Sequence, residues 1–366
     1  MPTNNHLTLA AAGSRKTQGI VDTCAAADKS ERILILTFTN ANQVELRNRL
    51  SSAAGSHPHV EVVGWYSFLL SHFVRPFLPY LYEGKRLRGF DFTSPPQRFS
   101  RNTDWSRYFN SHGEARKVHL PQLADRIAQT SSGAPIRRLE RIVDRVFVDE
   151  VQDLCGYDLE ILKLLMASTV PIEMVGDIRQ AILATNERER KNKKYMYMGI
   201  WDWFKTEENA GRIAITQRCQ TWRCASGIAS LADSLFGEEW GFESTVSLNS
   251  RTTGHDGVFL VSPEHLDAYI ETYSPLALRD SANSGRAYET IEFVNIGKSK
   301  GLGRERVLIC PTKAMATFIQ KGTPLKAQQA ADFYVAITRA EQSVAIILDK
   351  PGVASFPVWQ PELGSQ

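Results

Sequence analysis

The sequence predicts an α/β protein with parallel sheets in two domains, and three observations support this prediction. Short apolar runs rich in β-branched residues, such as 33–36 and 146–148, are typical of buried strands in a parallel sheet. Segments of helical character separate these runs at the spacing expected of a doubly wound sheet. A chain of 366 residues is also long enough to hold two domains.

Composition restricts the class of protein. With 43% hydrophobic residues, 23% charged residues and a net charge of +3, the chain resembles ordinary globular proteins, so any nucleic-acid surface must be local. The five cysteines form no CxxC pair and are odd in number, which favours reduced thiols and a cytoplasmic location over a disulfide framework. No apolar run approaches the roughly 20 residues of a membrane span, so we expect no membrane partner.

A phosphate-binding loop is predicted between the first strand, 7–10, and the helix that follows. Such a loop needs backbone N–H groups around a phosphate, a Lys for its charge and a hydroxyl for Mg²⁺. The segment AAAGSRKT supplies these parts in Gly13, Ser14, Lys16 and Thr17. Arg15 stands where Gly is favoured, because a Cβ crowds the turn around the phosphate. An ordinary strand–turn–helix is the alternative interpretation.

Two acids should emerge at the carboxyl end of the buried strand 146–148, where ligands of parallel sheets bind. There Asp149 can hold Mg²⁺, and Glu150 can orient the attacking water of a nucleotide hydrolase. Gln180, after the next predicted strand at 172–175, can sense a γ-phosphate. The alternative is a strand that runs into an acidic loop with no ligand.

Residues 84–141 form a basic insertion in the first domain. They contain twelve Lys and Arg against five acids, interleaved with Phe, Trp and Tyr. This mixture suits a groove that neutralises phosphates and stacks unpaired bases, with Arg86, Arg88 and Arg101 as candidate contacts. A solvated basic segment whose aromatic residues form a small core explains the composition equally well.

The second half repeats the α/β pattern, with strands predicted at 212–216, 290–296, 306–310 and 344–348. Because the segment 206–211 is polar and loop-like, we place the first domain at 1–205 and the second at 206–366. Residues 237–290 show little periodicity, and we interpret them as a short, reduced accessory insertion in the second domain.

Together these motifs make the chain resemble the UvrD/Rep-like superfamily 1 DNA helicases, in the family's order from residue 7 to residue 348. AAAGSRKT resembles their phosphate loop, TFTN their motif Ia and residues 64–68 their motif Ib. VDEVQDL resembles the family's acidic motif, VGDIRQ its Gln motif and TWRC the motif that supplies its first arginine. SKGL resembles its motif V and YVAITRA its motif VI. The resemblance implies two RecA-like P-loop domains that bind ATP and Mg²⁺ between them.

The resemblance also implies a role for each matching residue. Lys16 would hold the β- and γ-phosphates within the ATP-binding loop of Gly13, Ser14 and Arg15, while Thr17 and Asp149 would hold the metal. Glu150 would activate the attacking water and Gln180 would sense the γ-phosphate. Arg223 and Arg339 would reach the γ-phosphate as arginine fingers. The residues implied in DNA contact are Thr39, Asn40, Trp65, Ser67, Phe68 and Ser299.

Two departures from the family bear on strand separation. After the Gln motif the family has an aromatic pair that stacks on single-stranded DNA, whereas residues 181–186 contain no aromatic side chain. The stretch between Arg223 and Ser299 is also too short for the family's large fourth subdomain. We therefore expect weaker unwinding than in the family.

Two functions are compatible with these sequence motifs. The first is an ATP-dependent translocase or helicase that acts on single-stranded or tailed duplex DNA. The alternative is a nucleotide-dependent DNA-sensing or regulatory subunit of a nuclease or antiphage defence complex, partnered by a nuclease subunit or by a second copy of the chain. A P-loop kinase is disfavoured, because two C-terminal arginine motifs and a second sheet would have no role in it.

Overall fold

The computed structural model describes residues 3–53, 57–95 and 99–361, so Arg98 of the basic insertion lies outside the described residues. The chain divides into two compact units. The first consists of the chain up to Thr8, Lys16–Gly176 and Ala184–Thr216. The second consists of Leu9–Arg15, Asp177–Leu183 and the chain from Gln217. Residue 205, the predicted end of the first domain, falls inside the helix Ile200–Asn209 of the first unit.

The first unit is built on a six-stranded sheet and a smaller two-stranded one. Its strands are β1 (His6–Ala10), β2 (Ile33–Thr37), β3 (Val60–Gly64), β4 (Gly89–Asp91), β5 (Glu114–Arg116), β6 (Arg145–Val148), β7 (Ile172–Gly176) and β8 (Ala214–Arg218). The large sheet has the order β3-β2-β6-β7-β1-β8, and β4 pairs with β5 inside the basic insertion. The pairings of β2 with β3 and β6, and of β6 with β7, are parallel.

The helices of the first unit connect these parallel strands. They are α1 (Lys16–Ala26), α2 (Asn40–Ala53), α3 (Trp65–Phe68), α4 (Arg75–Phe77), α5 (Trp105–Tyr108), α6 (Leu120–Thr130), α7 (Ala134–Ile142), α8 (Tyr157–Met166) and α9 (Ile200–Asn209). A π-helical segment, Leu69–Val74, joins α3 to α4. Strand β2 is buried at every position, as its uninterrupted apolar sequence predicts for a central parallel strand. Ile20 of α1 and Leu46 of α2 belong to the same core cluster as Ile35 and Phe147.

The second unit contains a second six-stranded sheet. Its strands are β9 (Gln220–Thr221), β10 (Val246–Ser247), β11 (Gly257–Val261), β12 (Leu276–Arg279), β13 (Val294–Asn295), β14 (Arg304–Cys310), β15 (Ala340–Ile347) and β16 (Val358–Trp359). Its helices are α10 (Ser226–Asp233), α11 (Leu266–Tyr273), α12 (Lys313–Lys321) and α13 (Ala327–Ile337). The large sheet has the order β13-β12-β14-β15-β11-β16, and β9 pairs with β10. Every pairing in the large sheet is parallel.

The structure corrects the interpretation of residues 237–290 as an insertion. Strand β11 pairs with both β15 and β16, and β12 pairs with both β13 and β14, so both strands are internal to the sheet. Helix α11 connects them, and its Leu266 and Tyr269 are buried in the core of this unit. The accessory part of the second domain is therefore smaller than the sequence predicts.

The predicted fold class is confirmed by the two six-stranded parallel sheets, an arrangement consistent with two RecA-like domains. No helix within residues 3–53, 57–95 or 99–361 is long and apolar enough to cross a membrane.

Candidate nucleotide-binding and nucleic-acid-binding sites

Four predicted nucleotide-binding residues meet in the first unit. Lys16 and Thr17 begin α1, while Asp149 and Glu150 follow β6. The Lys16 Nζ atom lies 2.7 Å from Glu150 Oε1. The Thr17 hydroxyl donates to Asp149 Oδ2 at 3.4 Å. The Lys predicted to bind phosphate is thus paired with the predicted catalytic acid, beside the hydroxyl and carboxylate predicted to share a metal ion.

The backbone at Glu150 is strained. Its φ of 55° and ψ of 38° lie in the left-handed region, which costs a residue with a Cβ about 1–2 kcal/mol. Its amide donates to Asp149 Oδ1 at 2.9 Å, and the Gln152 amide donates to its carboxylate. Strain of this kind concentrates at functional sites, where it aims a side chain that a relaxed backbone would point elsewhere.

Burial dominates the electrostatics of Asp149, which is 1% exposed. Loss of solvent and the neighbouring Glu150 raise the pKa of this carboxyl to about 6, while Lys16 acts in the opposite direction. A cation beside the two acids would favour their ionised forms.

The donor atoms at this site fit Mg²⁺. In nucleotide sites this ion is held by one or two carboxylates and hydroxyls together with substrate phosphates, rather than by a cage of protein ligands. Thr17 and Asp149 supply one oxygen-bearing side chain each. No cluster of three or more His, Cys, Asp and Glu side chains suited to a metal occurs in the described part of the chain, so a closed protein cage is not formed there.

The loop 9–15 is held within the second unit by the segment 221–223. Thr221 Oγ1 donates to the Ala12 carbonyl at 2.7 Å, and the Trp222 amide donates to the Gly13 carbonyl at 3.1 Å. Gly13 has a φ of +74°, and a Cβ there would lie 2.5 Å from Arg223 Cβ. Only glycine fits at this position, because a larger residue would be both strained and in collision.

Two features of this loop bear on phosphate binding. Ser14 Oγ is buried and lacks a hydrogen-bond partner among the residues that the structure describes, so it is available to a ligand. Arg15 adopts a φ of 57°, the conformation in which glycine is favoured. Its guanidinium lies 4.9 Å from the ring centre of Trp222, in a cation–π contact.

The Gln and arginine motifs lie in the second unit. Gln180 Oε1 accepts a hydrogen bond from Arg339 Nη2 at 3.0 Å, and Arg339 is 1% exposed. Arg223 Nη1 donates to the Thr338 carbonyl at 3.3 Å. The predicted γ-phosphate sensor is therefore in direct contact with one of the two predicted arginine fingers.

The residues predicted to contact DNA divide by exposure. Thr39, Asn40 and Ser67 are exposed at the carboxyl ends of β2 and β3, and Thr39 Oγ1 accepts from the Asn42 amide at 3.1 Å. Ser299 is fully buried and donates to the Ile296 carbonyl at 2.8 Å. In this conformation Ser299 cannot contact a DNA backbone.

Trp65 and Phe68, predicted as stacking residues, are core residues in this structure. Both are fully buried, and the Trp65 indole N–H donates to Asp158 Oδ1 at 2.6 Å. The motif that suggested them fixes their order in the chain but not which face of the helix they occupy. In this structure Trp65 and Phe68 are therefore packing residues and do not offer a stacking surface to DNA bases.

The basic insertion combines a small core with an exposed surface. Tyr108 and Phe109 are each 1% exposed, and Phe109 stacks on Trp105 at 3.7 Å between ring centres. Phe92 is 66% exposed and Phe99 is fully exposed. Part of the insertion is therefore a small aromatic core, while its exposed Phe side chains are compatible with the nucleic-acid interpretation, which stays a prediction.

The predicted DNA-contacting arginines of the insertion are all exposed, namely Arg86, Arg88 and Arg101. We refer to these three arginines and the exposed Phe92 and Phe99 collectively as the basic–aromatic surface. The sequence shows the aromatic residues of this segment but does not separate Phe92 and Phe99 from those of the core, because no periodic pattern distinguishes them.

Comparison with known proteins gives structural matches only. No family model and no curated protein matches the chain. Among solved structures, the chain is similar to the crystal structure of arterivirus nonstructural protein 10, a helicase, with 15% identity and a TM-score of 0.48 over 94% of this chain. The same viral helicase in complex with DNA matches with 14% identity and a TM-score of 0.48 over 96% of this chain. The chain covers 59% and 62% of the two viral helicase chains.

Proposed function

We propose that the chain is an ATP-dependent translocase on single-stranded DNA, of the UvrD-like superfamily 1 type. The observation that carries the proposal is the Lys16–Glu150 ion pair at 2.7 Å beside the Thr17–Asp149 contact. A P-loop Lys and hydroxyl at the start of a helix, facing two acids that follow a parallel strand, constitute the working parts of a nucleotide hydrolase.

Each residue then has a defined task. Lys16 leaves Glu150 to bind the phosphates, which frees the Glu150 carboxylate to orient a water molecule. Thr17 and Asp149 would hold Mg²⁺, which would neutralise charge on the phosphates. Ser14 Oγ, buried without a protein partner among the described residues, hydrogen bonds to a phosphate oxygen. In this proposal Gln180, Arg223 and Arg339 act on the γ-phosphate.

DNA binding is assigned to the basic–aromatic surface and to Thr39, Asn40 and Ser67. Exposed arginines neutralise phosphates, and exposed Phe rings stack on unpaired bases. A stacking platform is accessible to bases only when they are unpaired, so we assign a single strand as the ligand.

A second function is favoured by one observation, the left-handed backbone of Arg15. A strained phosphate loop slows or weakens nucleotide turnover, which suits a nucleotide-dependent DNA-sensing subunit of a larger complex. In that case nucleotide binding persists while DNA-stimulated hydrolysis is absent.

The test is phosphate release by the purified chain with ATP and Mg²⁺, with and without single-stranded DNA. The translocase proposal predicts release that rises with DNA and falls to background in Lys16→Ala. Lys29→Ala is the matched control, since Lys29 is an exposed lysine beyond the end of α1. ATP binding without any release, in either condition, would favour the sensing subunit; absence of both would refute the nucleotide site.

A further inference from the structure

A buried hydrogen-bond chain in the second unit links the phosphate-binding loop to the Gln and arginine motifs. The Tyr334 hydroxyl accepts from the Ala12 amide at 3.2 Å and donates to Asp177 Oδ2 at 3.0 Å. The same carboxylate oxygen accepts from Gln180 Nε2 at 2.8 Å. Gln180 Oε1 accepts from Arg339 Nη2 at 3.0 Å. Tyr334 and Asp177 thus connect the phosphate-binding loop at Ala12 with the side chains of Gln180 and Arg339.

The polarity of this chain is fixed by chemistry. Arg339 can only donate, so the Gln180 oxygen must face Arg339 and its amide nitrogen must face Asp177. Burial raises the pKa of Tyr334, so its phenol keeps its proton and donates. The Tyr334 hydroxyl thus gives its one proton to Asp177 and uses a lone pair for the Ala12 amide.

Further contacts lock Asp177 in place. Its Oδ1 atom accepts from the Arg179 amide at 3.2 Å and from Arg179 Nε at 3.1 Å. Arg179 is held in turn by Asp233 at 3.2 Å, and its guanidinium lies 4.9 Å from the Tyr334 ring centre. Asp177 is 0% exposed and Tyr334 is 1% exposed, so water cannot substitute for a missing partner without rearrangement.

We propose that Tyr334 and Asp177 are positioning residues. Through their hydrogen bonds they fix the Ala12 amide of the phosphate loop and the side chains of Gln180 and Arg339 in position relative to one another. This inference rests on the proposed ATP hydrolysis. Neither residue is assigned a contact with the nucleotide, and the proposed effect passes through the Ala12 amide, Gln180 and Arg339. Loss of the link should leave nucleotide affinity nearly intact and lower the rate of the chemical step, since small misplacements of catalytic groups are costly to rate.

The experiment compares Tyr334→Phe with Tyr269→Phe. Both remove one hydroxyl from a buried tyrosine of the second unit, and the Tyr269 hydroxyl contacts His255 at 3.0 Å, outside the hydrogen-bond chain. Two quantities are measured: kcat and KM for ATP, and amide hydrogen exchange of the peptide that contains residues 9–15. Tyr334→Phe should lower kcat on the order of tenfold with little change in KM, and should speed exchange at Ala12. Tyr269→Phe should change neither.

Asp177→Asn provides a second variant if Tyr334→Phe does not fold. An Asn at this position brings its amide nitrogen against donors on one side or the other, those of Tyr334 and Gln180 or those of Arg179, and should reproduce the fall in kcat. Equal kcat and equal exchange in Tyr334→Phe and Tyr269→Phe would overturn the inference. If the wild-type chain hydrolyses no ATP, the proposed function fails, and the exchange of the 9–15 peptide alone decides whether Tyr334 holds the loop.

Discussion

Arg15 offers a prediction whose magnitude follows from its surroundings. Its left-handed backbone costs about 1–2 kcal/mol, and its contact with Trp222 contributes about 0.5–1 kcal/mol. Arg15→Gly removes both terms and adds about 0.5–1 kcal/mol of unfolded-state entropy, so its free energy of unfolding should stay within about 1 kcal/mol of wild type. Arg15→Ala loses the contact but keeps the Cβ, and should be about 1 kcal/mol less stable than Arg15→Gly.

Urea denaturation of the three proteins measures these differences, and calorimetry with ATP measures the consequence for binding. We expect Arg15→Gly to bind ATP more tightly or to turn over faster than wild type, because its loop can close on the phosphates without a Cβ. Equal stability of the Ala and Gly variants would refute the strain argument. Weaker ATP binding by Arg15→Gly would show instead that Arg15 is itself a phosphate ligand.

Three further predictions concern DNA and pH. Reversal of Arg86, Arg88 and Arg101 to Glu should weaken binding to single-stranded DNA. It should also lower the slope of log binding constant against log salt concentration by roughly 0.7 per lost phosphate contact. An unchanged slope in a salt titration would show that this surface does not contact DNA phosphates. The monomer should bind single strands and hydrolyse ATP far better than it separates a tailed duplex; efficient separation in a single-turnover assay would contradict this. Because the pKa of Asp149 rises from 3.8 to about 6 on folding, the folded state binds more protons in this window and the free energy of unfolding falls as pH rises through it. Asp149→Asn should reduce that fall by about 2–3 kcal/mol in magnesium-free denaturation, and an identical pH profile for both proteins would refute the shift.

The sequence predicts most of the first unit because its signals are local. The apolar run of β2, the helix that begins at Lys16 and the acids after β6 are each visible within a few residues. In the second unit, β11 is as long as β2 and β12 is one residue shorter, but their pairing with distant strands is not encoded in any local period. The segment 237–290 therefore looks irregular in the sequence although part of it lies inside the sheet.

In the candidate sites, too, local signals in the sequence are informative and long-range contacts are not. Order along the chain predicts Lys16 and Glu150 as site residues, but it cannot show that Trp65 is buried against Asp158, 93 residues away. Likewise, the contact between Tyr334 and Asp177 spans 157 residues, and no spacing rule predicts it. Long-range burial and pairing depend on tertiary packing, which motifs do not specify.

We propose that Glu150 orients the attacking water of ATP hydrolysis beside Lys16. The most direct measurement combines nucleotide binding with steady-state phosphate release for wild type and Glu150→Gln, in the presence of Mg²⁺ and single-stranded DNA. Glu61→Gln is the matched control, because Glu61 is exposed on β3 and has no assigned role. Glu150→Gln should bind ATP with nearly unchanged affinity and release phosphate only at background, while Glu61→Gln should behave as wild type. Phosphate release by wild type that does not exceed that of Glu150→Gln would contradict this proposal.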